Sequence, residues 1–412
     1  MRIHRFNRSM RVALVAGLRV LAFAHLASAV AGEITVGSAK DIRRAMAAAR
    51  PGDVISIPPG EYAMGEALVA GNSGTQDKPI TLRTRGETGY AKLKITGRSD
   101  VGFRILGRFW VLHGLHIEGN PDATLDLIQI DATRGGGALQ MTDCRVSCCK
   151  EYLFKASRSR EQGSDDVILD HCEWFDCPGT AIDLVAGDRW IIRNNYVHDY
   201  GKDGATHYGI FLKGGGRNGV IENNLVDGKG CKGTVGISFG GGLTGRQWLP
   251  LVEDGKPAPE HTGGICRNNI VLATGDCAYH ANNGSNCKFY NNLAYNCGAG
   301  FQRQASYPPD PALVNNVLSG NIRGAGESRS NLTAVDKTWF RAPDSSDFRL
   351  TDSGRAALAG KGQQIKDNPL DLFGQPRRAN DLGPVGARAT QSTRWVDRRL
   401  PERAVQPAGK SP

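Results

Sequence analysis

A lysine followed by three glycines is the residue of this 412-residue chain best placed for proton chemistry. Lys213 stands in THYGIFLKGGGRNGVIENN (206–224), where the alternating stretch reads as a strand and the glycines leave the backbone beyond it open. Alternation sends Lys213 to the face opposite Ile210 and Leu212, away from a core. An amine there acts as a general base if a neighbouring cation favours its neutral form, and Arg217 or Lys155 supplies that cation. Arg217 can instead grip a carboxylate through two parallel hydrogen bonds. His207 and Tyr208, entering the same strand, form a second base and acid pair. A packing or surface role competes at each position, since exposed lysines are ordinarily just solvated.

Five further stretches resemble the strand around Lys213: EYLFKAS (151–157), AIDLVAG (181–187), GISFGGG (236–242), AYHANNG (278–284) and GFQRQAS (300–306). Aligned position by position, they place Lys155, Asp183, Phe211, His280 and Asn282 on the Lys213 face as candidate binding residues. Lys155 and Lys213 then share one column two coils apart, about 10 Å by strand spacing. The insertion 243–264 contributes Trp248, Glu253, Glu260 and His261, with Trp248 a candidate wall of the same face. Asp131, Asp183, Asp199 and Asp203 are the candidate metal ligands. Calcium, which needs several converging oxygens, is the one cofactor the sequence leaves open.

The elements that must hold these residues are set by a repeat. RNNYVHD (193–199), ENNLVDG (222–228), RNNIVLA (267–273), YNNLAYN (290–296) and VNNVLSG (314–320) recur, with TDCRVSC (142–148) and DHCEWFD (170–176) before them. The third residues, Cys144, Cys172, Asn195, Asn224, Asn269, Asn292 and Asn316, are spaced 28, 23, 29, 45, 23 and 24 apart. That period with short alternating strands fits the coils of a β-solenoid. An asparagine at a fixed corner tolerates a left-handed bend and hydrogen-bonds its copies in adjacent coils. Cys144 and Cys172 share that position, and Cys149 and Cys177 fall five residues later, so these thiols read as core filler rather than nucleophiles. SAKDIRRAMAAAR (38–50) reads as an amphipathic helix capped by Ser38, covering the open end of the solenoid.

The opening helix with GDVISIPPGEY, followed by GTQDKPITLR (74–83), resembles the pectate-lyase-like superfamily of right-handed parallel β-helix proteins. The second phrase is most similar to the chondroitinase B and alginate lyase family. DFRLTDSGRAALAGKG (347–362) and DLFGQPRRANDLGPVGA (371–387) resemble the closing segment of bacterial β-helix proteins. The resemblance covers about residues 33–387 and implies an all-β, right-handed parallel β-helix (solenoid) with an N-terminal capping helix. It implies cleavage of an acidic, uronate-containing polysaccharide by β-elimination, with Lys213 at the position of the family's base. Where that family carries acidic calcium ligands before its lysine, this chain has Thr206, His207 and Tyr208. A glycoside hydrolase, a uronan epimerase and a non-catalytic glycan-binding envelope protein remain as alternatives on the same fold.

Residues 1–31 read as a signal peptide, with an arginine-rich leader, the run VALVAGLRVLAFAHLA and small-residue cleavage patterns. An exported protein is therefore expected, periplasmic or extracellular, with no membrane span. Residues 32–330 are expected to form the β-helix, 331–387 its closing segment and 388–412 a disordered basic tail. The net charge of +10 sits mostly at the ends, with five arginines and no acid in 1–31 and six basic against two acidic residues after 387. The body is near neutral, so global charge gives no reason to expect a nucleic-acid partner. A monomer acting on an acidic polysaccharide is the expected partnership.

Overall fold

The computed structural model describes residues 32–157, 163–241, 249, 255–304, 307–377, 381–386, 389, 391 and 393. The expected leader 1–31, Trp248 and the end of the chain after 393 lie outside them. Three parallel sheets of 12, 10 and 10 strands run the length of the fold. The first extends from Glu33–Thr35 to Glu327–Arg329, the second from Gly60–Ala63 to Val317–Leu318, and the third from Leu68–Ala70 to Ile322–Arg323. One coil visits each in turn: Ile191–Arg193, Tyr196–Tyr200, His207–Lys213, then Val220–Glu222 paired back onto Ile191–Arg193. This is a parallel β-helix.

The core follows from strand alternation. In the first sheet Leu169, Ile192, Ile221, Cys266, Phe289 and Leu313 stand in one register and are buried. Each apolar side chain removed from water stabilises the stack by roughly 1.5–3 kcal/mol. The cysteines are free thiols, and Cys149 and Cys177 stack with sulfurs 3.3 Å apart in adjacent coils.

The corner between the first and second sheets carries a continuous run of asparagine side chains. Asn195 Nδ2 donates to Asn224 Oδ1 at 3.0 Å, Asn224 to Asn269 at 3.0 Å, and Asn269 to Asn292 at 3.1 Å. Asn292 then donates to Asn316 at 3.0 Å and Asn316 to Asn331 at 2.9 Å. Each backbone N–H of the run from Asn195 to Asn316 also donates to the next Oδ1. The left-handed bend sits one residue earlier than the repeat suggests, at Asn194, Asn223, Asn268, Asn291 and Asn315. The two asparagines of each pair thus divide the work: the first turns the chain and the second joins the coils.

The N-terminal helix Ala39–Ala48 is capped by Ser38, whose Oγ accepts from Asp41 N. Its buried Ile42, Ala45 and Met46 join the main core at the first coil. The closing segment lies along the flank of the second sheet rather than across its end. In one outward column of that sheet the early coils present His116, Arg145, Glu173 and Tyr196, and the later ones Leu225, Ile270, Leu293 and Val317. Phe340, Phe348, Leu350, Leu358, Leu372, Leu382 and Val385 cover the apolar part. Strands buried on both faces read as nearly unbroken apolar runs, as in Ile270–Leu272.

Of the tail expected from residue 388, residues 389, 391 and 393 are described. Thr393 is buried, accepting from Phe348 N at 2.6 Å and donating to Ser346 O at 2.6 Å.

Asn224→Ala removes two side-chain donors and an acceptor from a buried corner, which should cost about 1–3 kcal/mol. A thermal melt should show a clearly lowered midpoint; an unchanged one would mean the asparagine run contributes nothing to cohesion between coils.

Candidate functional site

The outer face of the third sheet gathers the candidate residues, in a register that differs from the sequence alignment. Phe154 stands opposite Ile182 and Ala156 opposite Leu184, so strand Tyr152–Ser157 is displaced by two residues. An even displacement keeps each side chain on its face while changing its column. Lys155 therefore stands beside Asp183, followed by Phe211, Ser238, His280 and Gln302. Lys213 stands beside Val185 in the next column, so the two lysines do not share one. Leu153 is fully buried at the start of that strand, and Tyr152 is half-buried.

The displacement places a carboxyl group between two cations. Asp183 is 2% exposed, and its Oδ1 lies 3.3 Å from Lys213 Nζ. Burial pushes the Asp183 carboxyl above the usual range, opposed by Lys213 and Lys155. Lys213 Nζ also lies 4.4 Å from the Phe211 ring centroid, and Lys155 Nζ lies 3.6 Å from that of Tyr152. The preceding coil adds Asp126, in register with Tyr152. Burial raises its carboxyl too, against Lys155 and a 2.6 Å hydrogen bond from Gln129 Nε2.

Beyond Lys213 the face turns aromatic and uncharged. Tyr208 stacks on Phe211 with centroids 3.8 Å apart and planes at 15°. Burial pushes the Tyr208 phenol up to about 12, so it keeps its proton at neutral pH. His280 Nδ1 lies 3.2 Å from Ser238 Oγ, and burial lowers this imidazole to about 4. Asn282 Nδ2 donates to Gln304 Oε1 at 3.3 Å. Phe211, His280 and Asn282 face outward yet are at most 7% exposed. At Phe211 the cover is visible: a Cβ added to Gly241 would fall 2.0 Å from its Cζ.

Other candidates have different surroundings. His207 Nε2 lies 2.9 Å from Asp203 Oδ1 and its Nδ1 3.4 Å from Thr180 Oγ1, so His207 and Tyr208 have separate partners. Arg217 is 66% exposed and pairs with Asp188 at 2.6 Å, near the Arg189 pairs with Asp165 and Asp166. The four candidate metal ligands do not converge. Asp131 caps a 3₁₀ turn, Asp199 pairs with His198 on the second sheet, Asp203 holds His207, and Asp183 holds Lys213. Among the described residues no group of three His, Cys, Asp or Glu is disposed to hold a metal ion. Sequence reasoning missed Asp126, Gln129 and Tyr152; the alternation in DLIQID (126–131) signals Gln129, but puts Asp126 on the side of Ile128 and Ile130.

Residues 112–244 match the family model described as right handed beta helix region. No curated protein matches the chain. A rhamnogalacturonan lyase structure, 15% identical, aligns over 77% of this chain and 92% of its own, with a TM-score of 0.54. An alginate lyase from Paenibacillus sp. is 19% identical over 74% of this chain and 99% of its own, at TM-score 0.48. A pectate lyase is 14% identical over 83% and 90%, at 0.49. The family model and the rhamnogalacturonan lyase structure establish the fold, a right-handed parallel β-helix, and leave the chemistry to the residues of the face. No helix among the described residues is long and apolar enough to cross a membrane.

The depressed His280 imidazole gives a signed prediction. With its folded value near 4 against 6.5 for the free side chain, it binds fewer protons folded than unfolded between those values. Its contribution to stability is intact above about pH 6.5 and lost as pH falls towards 4. Melting wild type and His280→Gln side by side separates this from Asp126 and Asp183, whose raised carboxyls act in the opposite sense. Wild type should lose ground to the variant between pH 6.5 and 4.5; a constant gap would contradict a buried, neutral imidazole.

Proposed function

We propose that this protein is a secreted, monomeric polysaccharide lyase that cleaves a uronate-containing chain by β-elimination on the outer face of the third sheet. The observation that carries the reading is the contact of Lys213 with the buried Asp183, beside Lys155. In this reading the Lys213 amine is the base, held at a fixed point on the face by its contact with Asp183.

In this reading Lys155 neutralises the substrate carboxylate, which acidifies the proton on the adjacent carbon. The Lys213 amine takes that proton. The electron pair left behind forms a carbon–carbon double bond as the glycosidic carbon–oxygen bond breaks, and Tyr208 gives its phenolic proton to the departing oxygen. Phe211, held under Tyr208, orients the acid. Arg217, occupied by Asp188, has a secondary place.

A glycoside hydrolase is the second reading, favoured by Asp126. It lies two strands from Asp183 and three residues out of its column, about 14 Å backbone to backbone by strand spacing and rise, and the Asp183 charge still reaches its carboxyl; inverting enzymes hold their two carboxyls roughly 6.5–9.5 Å apart. The products distinguish the two. Elimination yields an unsaturated sugar that absorbs in the ultraviolet, whereas hydrolysis yields reducing ends alone.

On pectate, alginate and glycosaminoglycans, an absorbing product is expected from at least one. Lys213→Ala and Tyr208→Phe should each fold normally and lose at least ~100-fold in turnover, the usual scale for a positioned acid or base. Reducing ends without absorbance would select the hydrolase, and full activity of both variants would move the site elsewhere.

A further inference from the structure

The strand His207–Lys213 ends at the lysine, and the next residue begins a tight turn. Gly214 and Gly215 are both left-handed, at φ 75° and 87°. A Cβ on Gly214 would fall 2.5 Å from Val185 Cγ1, so this position is closed to any side chain. Paired glycines have a wide conformational range, so the path of the chain leaving Lys213 depends on a restraint from another element.

That restraint comes from the far end of the insertion. Glu260 Oε2 accepts from Gly214 N at 2.8 Å, and Glu260 O accepts from Gly215 N at 2.9 Å. Glu260 N in turn donates to Asn283 O at 2.8 Å, fastening it to the next coil. His261 continues the attachment, pairing in parallel with Gly216. Glu260 is 3% exposed, and burying a carboxylate is costly unless its hydrogen bonds repay it. Its charge also reaches the phenol of Tyr208 and adds to the upward shift there.

We propose that Glu260 is a positioning residue for Lys213, clamping the glycine turn through its carboxylate and carbonyl so that the amine stays at a fixed point on the face. The proposal rests on Lys213 being the base. It makes the long interval between coils part of the catalytic apparatus, since the insertion delivers a carboxylate to a turn 46 residues earlier.

The test is steady-state kinetics on the acidic polysaccharide that wild type cleaves, with melting midpoints measured in parallel. Glu260→Ala should reduce kcat at least ~10-fold with KM within about twofold, as expected when a reacting group is misplaced but binding persists. Glu260→Gln, whose amide oxygen still accepts from Gly214, should restore most of kcat. Glu260→Asp keeps the charge but withdraws the oxygen by one methylene, and should fall with the alanine variant; it carries the test if that variant does not fold. A wild-type kcat in Glu260→Asp or Glu260→Ala, with Lys213→Ala inactive, overturns the positioning role and leaves the base assignment standing. A Glu260→Gln as impaired as Glu260→Ala also overturns it, by showing that charge rather than the hydrogen bond matters. An active Lys213→Ala removes the base assignment itself.

Discussion

Parallel pairing of one coil on the next is the constraint from which the rest of the molecule follows. Each strand has its neighbour about 4.8 Å away along the axis. Any residue type at a given position of the coil therefore becomes a column, inside or outside. Inside, the columns are apolar stacks. At one corner the column is asparagine, and its side chains satisfy backbone groups that a tight bend would otherwise leave buried and unpaired. Outside, a column becomes a surface whose chemistry changes coil by coil. The flank of the second sheet shows this most plainly, being polar where it meets water and apolar where the closing segment covers it.

The face of the third sheet uses the same rule differently. Its outward residues are charged over the coils of Asp126, Lys155 and Asp183, then aromatic and neutral over those of Phe211, Ser238 and His280. Several are as inaccessible as core residues, and this low-dielectric setting raises the carboxyls of Asp126 and Asp183 and lowers the imidazole of His280. Shifts of this kind mark a place where protons can be moved. They also carry a cost in stability, which the columns on either side of the face are regular enough to bear.

Much of this was legible in the sequence because a solenoid writes its geometry as a period. The paired asparagines gave the coil, and strand alternation put Lys213, Asp183, Phe211, His280 and Asn282 on one face. Three things were not legible. A strand displaced by an even number of residues leaves the pattern of inside and outside unchanged, so the sequence could not report that Lys155 stands beside Asp183. Which asparagine of a pair bends and which bonds is a matter of backbone angles that both side chains tolerate. Partnership was invisible as well: Arg217 looked available until Asp188 occupied it, and Glu260 looked like loop until its carboxylate met Gly214.

The account stands or falls on a sugar carboxylate coming to lie beside Lys155 with its neighbouring carbon turned to Lys213. The direct measurement is a crystal structure of Lys213→Ala soaked with an acidic oligosaccharide from the polysaccharide that wild type degrades. The account predicts the oligosaccharide along the outer face of the third sheet, its carboxylate on Lys155, its glycosidic oxygen within reach of Tyr208, and its acidic carbon facing the gap left by the removed amine. An oligosaccharide bound in order on another face, with this one empty, would contradict it.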